Sequence, residues 1–86
     1  MLTMWPYPLK QFPLTSLMMP NGAQIIACQM QNGVPTLWVV CETENGLVGR
    51  AFRLRGTGHP IEDALGRYVA TVQDPPDVWH VFEVPS

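Results

Sequence analysis

Charge is scarce in this sequence. Acidic and basic residues make up 14% of its 86 positions, against about 25% in an ordinary globular chain. Five Lys and Arg face seven Asp and Glu, for a net charge of −2. A protein that coats DNA or RNA needs a cationic excess to displace counterions from phosphate, so general nucleic-acid binding is disfavoured. Seven scattered acids are also too few for a mimic of DNA. Cysteine is nearly absent: Cys28 and Cys41 stand alone, in no metal-type spacing, whereas a secreted domain of this size usually holds several disulfides. No stretch approaches the ~20 apolar residues of a membrane helix. The opening MLTMWPYPLK lacks the basic and apolar regions of a signal peptide. These absences predict an intracellular protein with no membrane partner. Nine Pro and seven Gly exclude long helices. What remains is a single domain over 1–86, because the length suits one small core and not two.

Apolar residues supply 47% of the chain, and the clearest local signals among them are two Asn-Gly pairs. Asn32-Gly33 and Asn45-Gly46 each lie between apolar, β-branched runs, the pattern of a two-residue hairpin. Centring a turn on each pair sets Gln31 opposite Val34, Cys28 opposite Leu37 and Ile26 opposite Val39, then Val39 opposite Phe52 and Leu37 opposite Leu54. With side chains alternating between faces, one side of the resulting three-stranded meander collects Ile26, Cys28, Met30, Leu37, Val39, Cys41, Phe52 and Leu54. The other collects Gln29, Gln31, Thr36, Trp38, Val40, Arg53 and Arg55. The first set reads as a core layer and the second as a half-exposed surface. Cys28 and Cys41 fall four positions apart along the strands, roughly 13 Å at ~3.3 Å per residue, which is beyond disulfide reach. Two free thiols are expected.

Cover for the apolar side must come from the ends of the chain. Trp5, Tyr7 and Leu9 alternate within WPYPLK, where Pro6 and Pro8 allow only an edge strand or an extended arm. Leu14 to Met19 reads as a further strand, closed by a turn at Pro20-Asn21-Gly22. Arg67 to Gln73 and Val78 to Val84 are β-prone runs joined by Asp74-Pro75-Pro76-Asp77. Ile61 to Leu65 reads as one helical turn, with Pro60 before it and Gly66 at its stop. The fold expected is mainly β: a small antiparallel sandwich or open barrel of about seven short strands with one helical turn.

Chemistry has few places to sit. Arg50, Arg53, Arg55 and Arg67 fall close together in sequence, and the meander register sets Arg53 against Trp38 in cation–π geometry. Trp and Arg are enriched at binding hot spots, so the binding surface expected is Trp38, Arg53 and Arg55 with Gln29 and Gln31 around them and His59 at the edge. Arg stems covering Trp38 on a solvated sheet explain the same pattern without a partner. Gly56-Thr57-Gly58-His59 has the composition of a small anion-binding turn but matches no nucleotide fingerprint. Neither His59 nor His80 has a Cys or carboxylate partner at diagnostic spacing, and both thiols fall on the core side. No catalytic residue, metal site or cofactor is expected, and the chain reads as non-enzymatic.

Several stretches resemble a group of small phage- and prophage-encoded proteins of unknown function. They are Trp5 to Leu9 (WPYPL), Met19 to Trp38 (MPNGAQIIACQMQNGVPTLW), Arg50 to Ile61 (RAFRLRGTGHPI), Arg67 to Gln73 (RYVATVQ) and Trp79 to Glu83 (WHVFE). The resemblance implies a phage accessory protein in the cytoplasm of a bacterial host. Some anti-CRISPR proteins look similar in size and compactness. By that analogy the leading expectation is an anti-defence protein that binds a CRISPR effector subunit, in a type I surveillance complex, and inhibits it by steric occlusion. Two rivals stand beside it: a sponge that sequesters a nucleotide signal through the Gly56–His59 loop, and a virion or morphogenesis accessory protein. An exposed apolar sheet edge would also let two copies pair as a homodimer.

Overall fold

The computed structural model describes residues 1–61 and 64–85. Seven strands follow in order: β1 (Leu2–Pro8), β2 (Leu14–Pro20), β3 (Gln24–Gln31), β4 (Val34–Glu42), β5 (Leu47–Gly56), β6 (Arg67–Asp74) and β7 (Asp77–Val84). They form two antiparallel sheets, ordered β1-β4-β3 and β2-β5-β7-β6. All seven strands anticipated from the sequence are present, in a sandwich. The helical turn expected over Ile61–Leu65 centres on Glu62 and Asp63, outside the described residues; Ile61, Ala64 and Leu65 carry no regular structure. Among the described residues no helix is long and apolar enough to cross a membrane.

The two Asn-Gly pairs behave differently. Asn32 and Gly33 have φ of 52° and 78°, the paired left-handed conformation of a type I′ turn, and β3 and β4 pair as expected from Gln31↔Val34 to Cys28↔Leu37. Asn45 and Gly46 make no such turn. The chain reverses earlier, where the Asn45 amide donates to the Glu42 carbonyl at 3.1 Å, and β5 leaves for the other sheet. The three-stranded meander is therefore corrected. Its cause is competition for the second edge of β4, which β1 takes through Trp5↔Val39 and Tyr7↔Leu37, while β5 pairs with β2 and β7. The link from β4 to β5 runs beside the one from β2 to β3. Asn21 N–H donates to the Gly46 carbonyl at 2.8 Å and the Asn45 side chain donates to the Asn21 carbonyl at 2.8 Å.

The core set survives this change because both sheets turn it inward. Leu37, Val39 and Cys41 of β4 meet Phe52 and Leu54 of β5 in one buried cluster, joined by Leu9, Met19, Ala23 and Val81. Two assignments fail. Ile26, expected inside, is the extra residue of a bulge between Ile25 and Ala27 and stands 54% exposed; Ile25 takes its place opposite Val39. Thr36, expected at the surface, is buried, with its hydroxyl donating to the Val34 carbonyl at 3.1 Å. Cys28 and Cys41 are free thiols, and burial pushes the Cys28 thiol up to about 11.

Candidate functional site

With β4 and β5 in opposite sheets, the expected binding residues divide into two groups on the two outer faces. Trp38 does not meet Arg53. Residues opposite one another in a sheet share a face, so the outer side of the three-stranded sheet is read from its register. Pro6 and Ala27 flank Trp38, Met4 and Gln24 flank Val40, and Pro8 and Gln29 flank Thr36. Leu2 lies opposite Glu42 and Gln31 opposite Val34. Leu2 and Met4 are exposed hydrophobics, Trp38 and Val40 half-buried, and Gln24, Gln29 and Gln31 exposed. Among the described strand residues of this face, Glu42 is the single charged side chain. It bonds the amino terminus of Met1, and that hydrogen bond, first among several, holds its carboxyl below the usual range. The centre is thus apolar and the rim is amide.

The outer side of the four-stranded sheet is different. Arg53 lies between Leu14 and Phe82 in register, and its guanidinium donates to the Ala64 carbonyl at 2.6 Å. Arg55 lies opposite His80, and His80 opposite Thr71. His80 is held at both ring nitrogens, Nε2 2.7 Å from the Thr57 hydroxyl and Nδ1 3.0 Å from that of Thr71. The Tyr68 hydroxyl extends this chain at 2.9 Å from Thr71. Among the described residues no carboxylate takes part in these bonds. The ring is held in place by these two threonine hydroxyls.

His59 sits at neither face. Its Nδ1 accepts from the Gly56 N–H at 3.2 Å, so the proton of the neutral ring belongs on Nε2. Its ring meets Trp79 edge-on at 5.8 Å, and Phe12 packs against the same indole at 5.3 Å. Thr57 N–H donates to the Val78 carbonyl and His59 N–H to the Gly56 carbonyl, each at 3.0 Å. Three amides of the loop are therefore engaged within the protein, and they do not converge outward as an anion-binding turn requires.

One polar centre escaped the sequence reading. Arg50 grips Glu83 through two hydrogen bonds, Nε to Oε2 at 2.7 Å and Nη2 to Oε1 at 2.8 Å, and donates from Nη1 to the Ala23 carbonyl at 2.7 Å. Arg67 adds a third bond to Glu83 Oε1 at 2.7 Å. The Arg50 hydrogen bonds, with help from Arg67, hold the Glu83 carboxyl below its ordinary range, and Glu83 in turn raises Arg50. A cleft of about 450 Å³ opens beside this network, lined by Ile25, Ile26, Arg67, Tyr68 and Val69 among others. The signal was available: Arg50 is in phase with Phe52 and Leu54, so strand alternation alone turns it inward.

Comparison with curated proteins and with solved structures gave no match. A family model does match, and it spans residues 1–86. By that match along its whole length, the chain belongs to the family described as a domain of unknown function, DUF7352.

Proposed function

We propose that the protein is a non-enzymatic binding protein that works by covering a site on a partner protein with the outer face of β1, β4 and β3. One observation carries this reading. Met4, Pro6, Trp38, Val40 and Ala27 form an apolar centre in register, bordered by exposed Gln24, Gln29 and Gln31. A charge-depleted aromatic and apolar core within a polar rim is the anatomy of a protein-binding surface. The partner class follows from the resemblance to small phage accessory proteins: a bacterial defence complex, first of all a type I CRISPR surveillance complex, inhibited as an anti-CRISPR protein inhibits, by occlusion. A net charge of −2 favours a protein surface over a phosphate backbone as the contact.

The test is inhibition of target-DNA cleavage by purified type I complexes, with wild-type protein, Met4→Glu, Trp38→Ala and the pair Arg53→Glu/Arg55→Glu. Wild type should bind and inhibit. Met4→Glu and Trp38→Ala should lose inhibition, and the arginine pair on the far face should retain it. Wild-type protein that neither binds nor inhibits overturns the partner class. Loss confined to the arginine pair would move the surface to the four-stranded sheet.

A further inference from the structure

Four strands border the two sheets: β1 and β3 in one, β2 and β6 in the other. An unprotected border strand offers unpaired N–H and C=O groups to any second strand. Three of the four are protected. In β1 the Leu9 N–H donates to the Pro35 carbonyl and the Met1 carbonyl accepts from Thr43, so odd-numbered residues face β4 and even-numbered ones face out. Pro6 and Pro8 occupy outward positions and have no N–H to offer. At the opposite flank β3 lies against β6, and each is interrupted there by a bulge, at Ile26 and Val69, a known device against edge pairing.

β2 carries one such device only at its end, where Pro20 takes the last outward position, and its central stretch has none. The Pro13 carbonyl accepts from Leu54 and the Asn21 N–H donates to Gly46, so odd-numbered residues again face inward, to β5. The backbone groups of Leu14, Ser16 and Met18 point outward. From Leu14 to Met19 the strand contains no proline, no glycine and no charged residue. Its outward-register side chains Leu14 and Met18 are 41% and 58% exposed.

We propose that a second copy of this chain pairs with this edge, β2 against β2 about a two-fold axis at Ser16. This goes beyond the docking reading and does not depend on it. In an antiparallel pair the outward residues must exchange hydrogen bonds with outward residues. The axis at Ser16 meets that condition, setting Ser16 opposite its own copy and Leu14 opposite Met18 of the second copy. Two exposed apolar side chains then cover one another on each side of the axis. No like charges meet, because the strand has none. The result is a continuous sheet across both copies, closed by the two-fold axis, and it leaves Trp38 and its neighbours open on both outer faces.

The experiment is sedimentation equilibrium of the full chain from micromolar to millimolar concentration, with cross-linking. Wild type should move from 9.6 kDa to twice that mass. Ser16→Pro removes an N–H that no strand of its own chain uses, and it should remain monomeric. Ser16→Lys keeps the backbone and brings like charges together at the axis. It should raise the dimer dissociation constant by roughly tenfold or more, and it gives the answer even where Ser16→Pro fails to fold. Under oxidation Ser16→Cys should join two chains through position 16. Leu14→Cys should not, since its two copies lie roughly 13 Å apart along the strands, beyond the ~7 Å limit for a disulfide. A wild type that stays monomeric throughout, an unchanged constant for Ser16→Lys, or equal cross-linking at positions 14 and 16 overturns the proposal.

Discussion

Arg50 and Glu83 are joined by two parallel hydrogen bonds of 2.7 and 2.8 Å where the sandwich opens toward β3 and β6. Both side chains are largely buried, and the guanidinium carbon lies 5.8 Å from the centre of the Phe52 ring. Glu83 connects β7 to β5 through Arg50 and to β6 through Arg67. Removing its charge leaves Arg50 enclosed with a weaker partner. Glu83→Gln should cost about 2 kcal/mol of stability, within the range for a charged hydrogen-bonded group, measured by urea unfolding at neutral pH.

The same pair sets a pH dependence. Glu83 is held below its ordinary range by the Arg50 hydrogen bonds and then by Arg67, so the folded state gives up protons more readily than the unfolded one. Its stabilising contribution is complete above the unfolded carboxylate value of about 4.3. It is lost as pH falls from there through the lowered folded value. Stability should therefore decline with acid in that window, and the decline should be shallower in Glu83→Gln. The remaining slope includes Glu42, lowered first by its hydrogen bond to the amino terminus. Equal slopes in both proteins would remove Glu83 from the account.

Gly56 and Gly66 separate a side-chain constraint from a backbone one. A Cβ at Gly66, where φ is 97°, would lie 2.2 Å from the Glu83 carbonyl oxygen and 3.2 Å from the Val84 Cα. Neither neighbour is a flexible end, so Gly66→Ala should cost roughly 2–3 kcal/mol. A Cβ at Gly56 would instead lie 2.6 Å from the His59 ring, which is exposed and able to swing away. Gly56→Ala should keep most of its stability while the ring leaves Trp79. A changed His59 imidazole spectrum by NMR, with nearly unchanged unfolding, is the expected result.

Strand existence was legible because each strand announces itself locally. Trp5 and Tyr7 alternate between prolines, and Asp74-Pro75-Pro76-Asp77 separates two β-branched runs. Strand partnership was not, because it is settled between distant segments. Asn32-Gly33 and Asn45-Gly46 look alike in sequence, yet only the first adopts positive φ at both residues, since β1 claims the β4 edge that a second hairpin would use. That single exchange carries Arg53 and Arg55 to the far side of the molecule from Trp38. The core list held in spite of it, because alternation decides inside from outside whichever sheet a strand joins. Ile26 fell out of phase for a different reason: a bulge inserts one residue and reverses the faces beyond it.

Burial also sets thiol chemistry. Desolvation disfavours the charged form of Cys28 and pushes its thiol up to about 11, from a reference of 9.0. The thiolate is the reacting species, so alkylation in mild base should run about two orders of magnitude slower than for an unhindered thiol in solution. Timed iodoacetamide labelling with Cys41→Ala isolates this site. Labelling at the rate of a free peptide would show that Cys28 is open to solvent.

Pro6 and Pro8 define the last prediction. Both sit in β1 at positions whose N–H would point away from β4. Neither costs a ladder bond inside the sheet, and each withholds a donor from the free edge. Replacing both with Val should retain the β1–β4 pairing while adding two outward donors beside exposed Leu2 and Met4. The variant would then carry two open edges, β1 in one sheet and β2 in the other. Pairing through β2 alone closes on its two-fold axis, but a second edge allows continued addition. Pro6→Val/Pro8→Val should therefore assemble beyond a dimer, seen as rising light scattering with concentration while far-ultraviolet circular dichroism stays that of the parent. A variant that scatters like wild type would show that the prolines do not guard the edge.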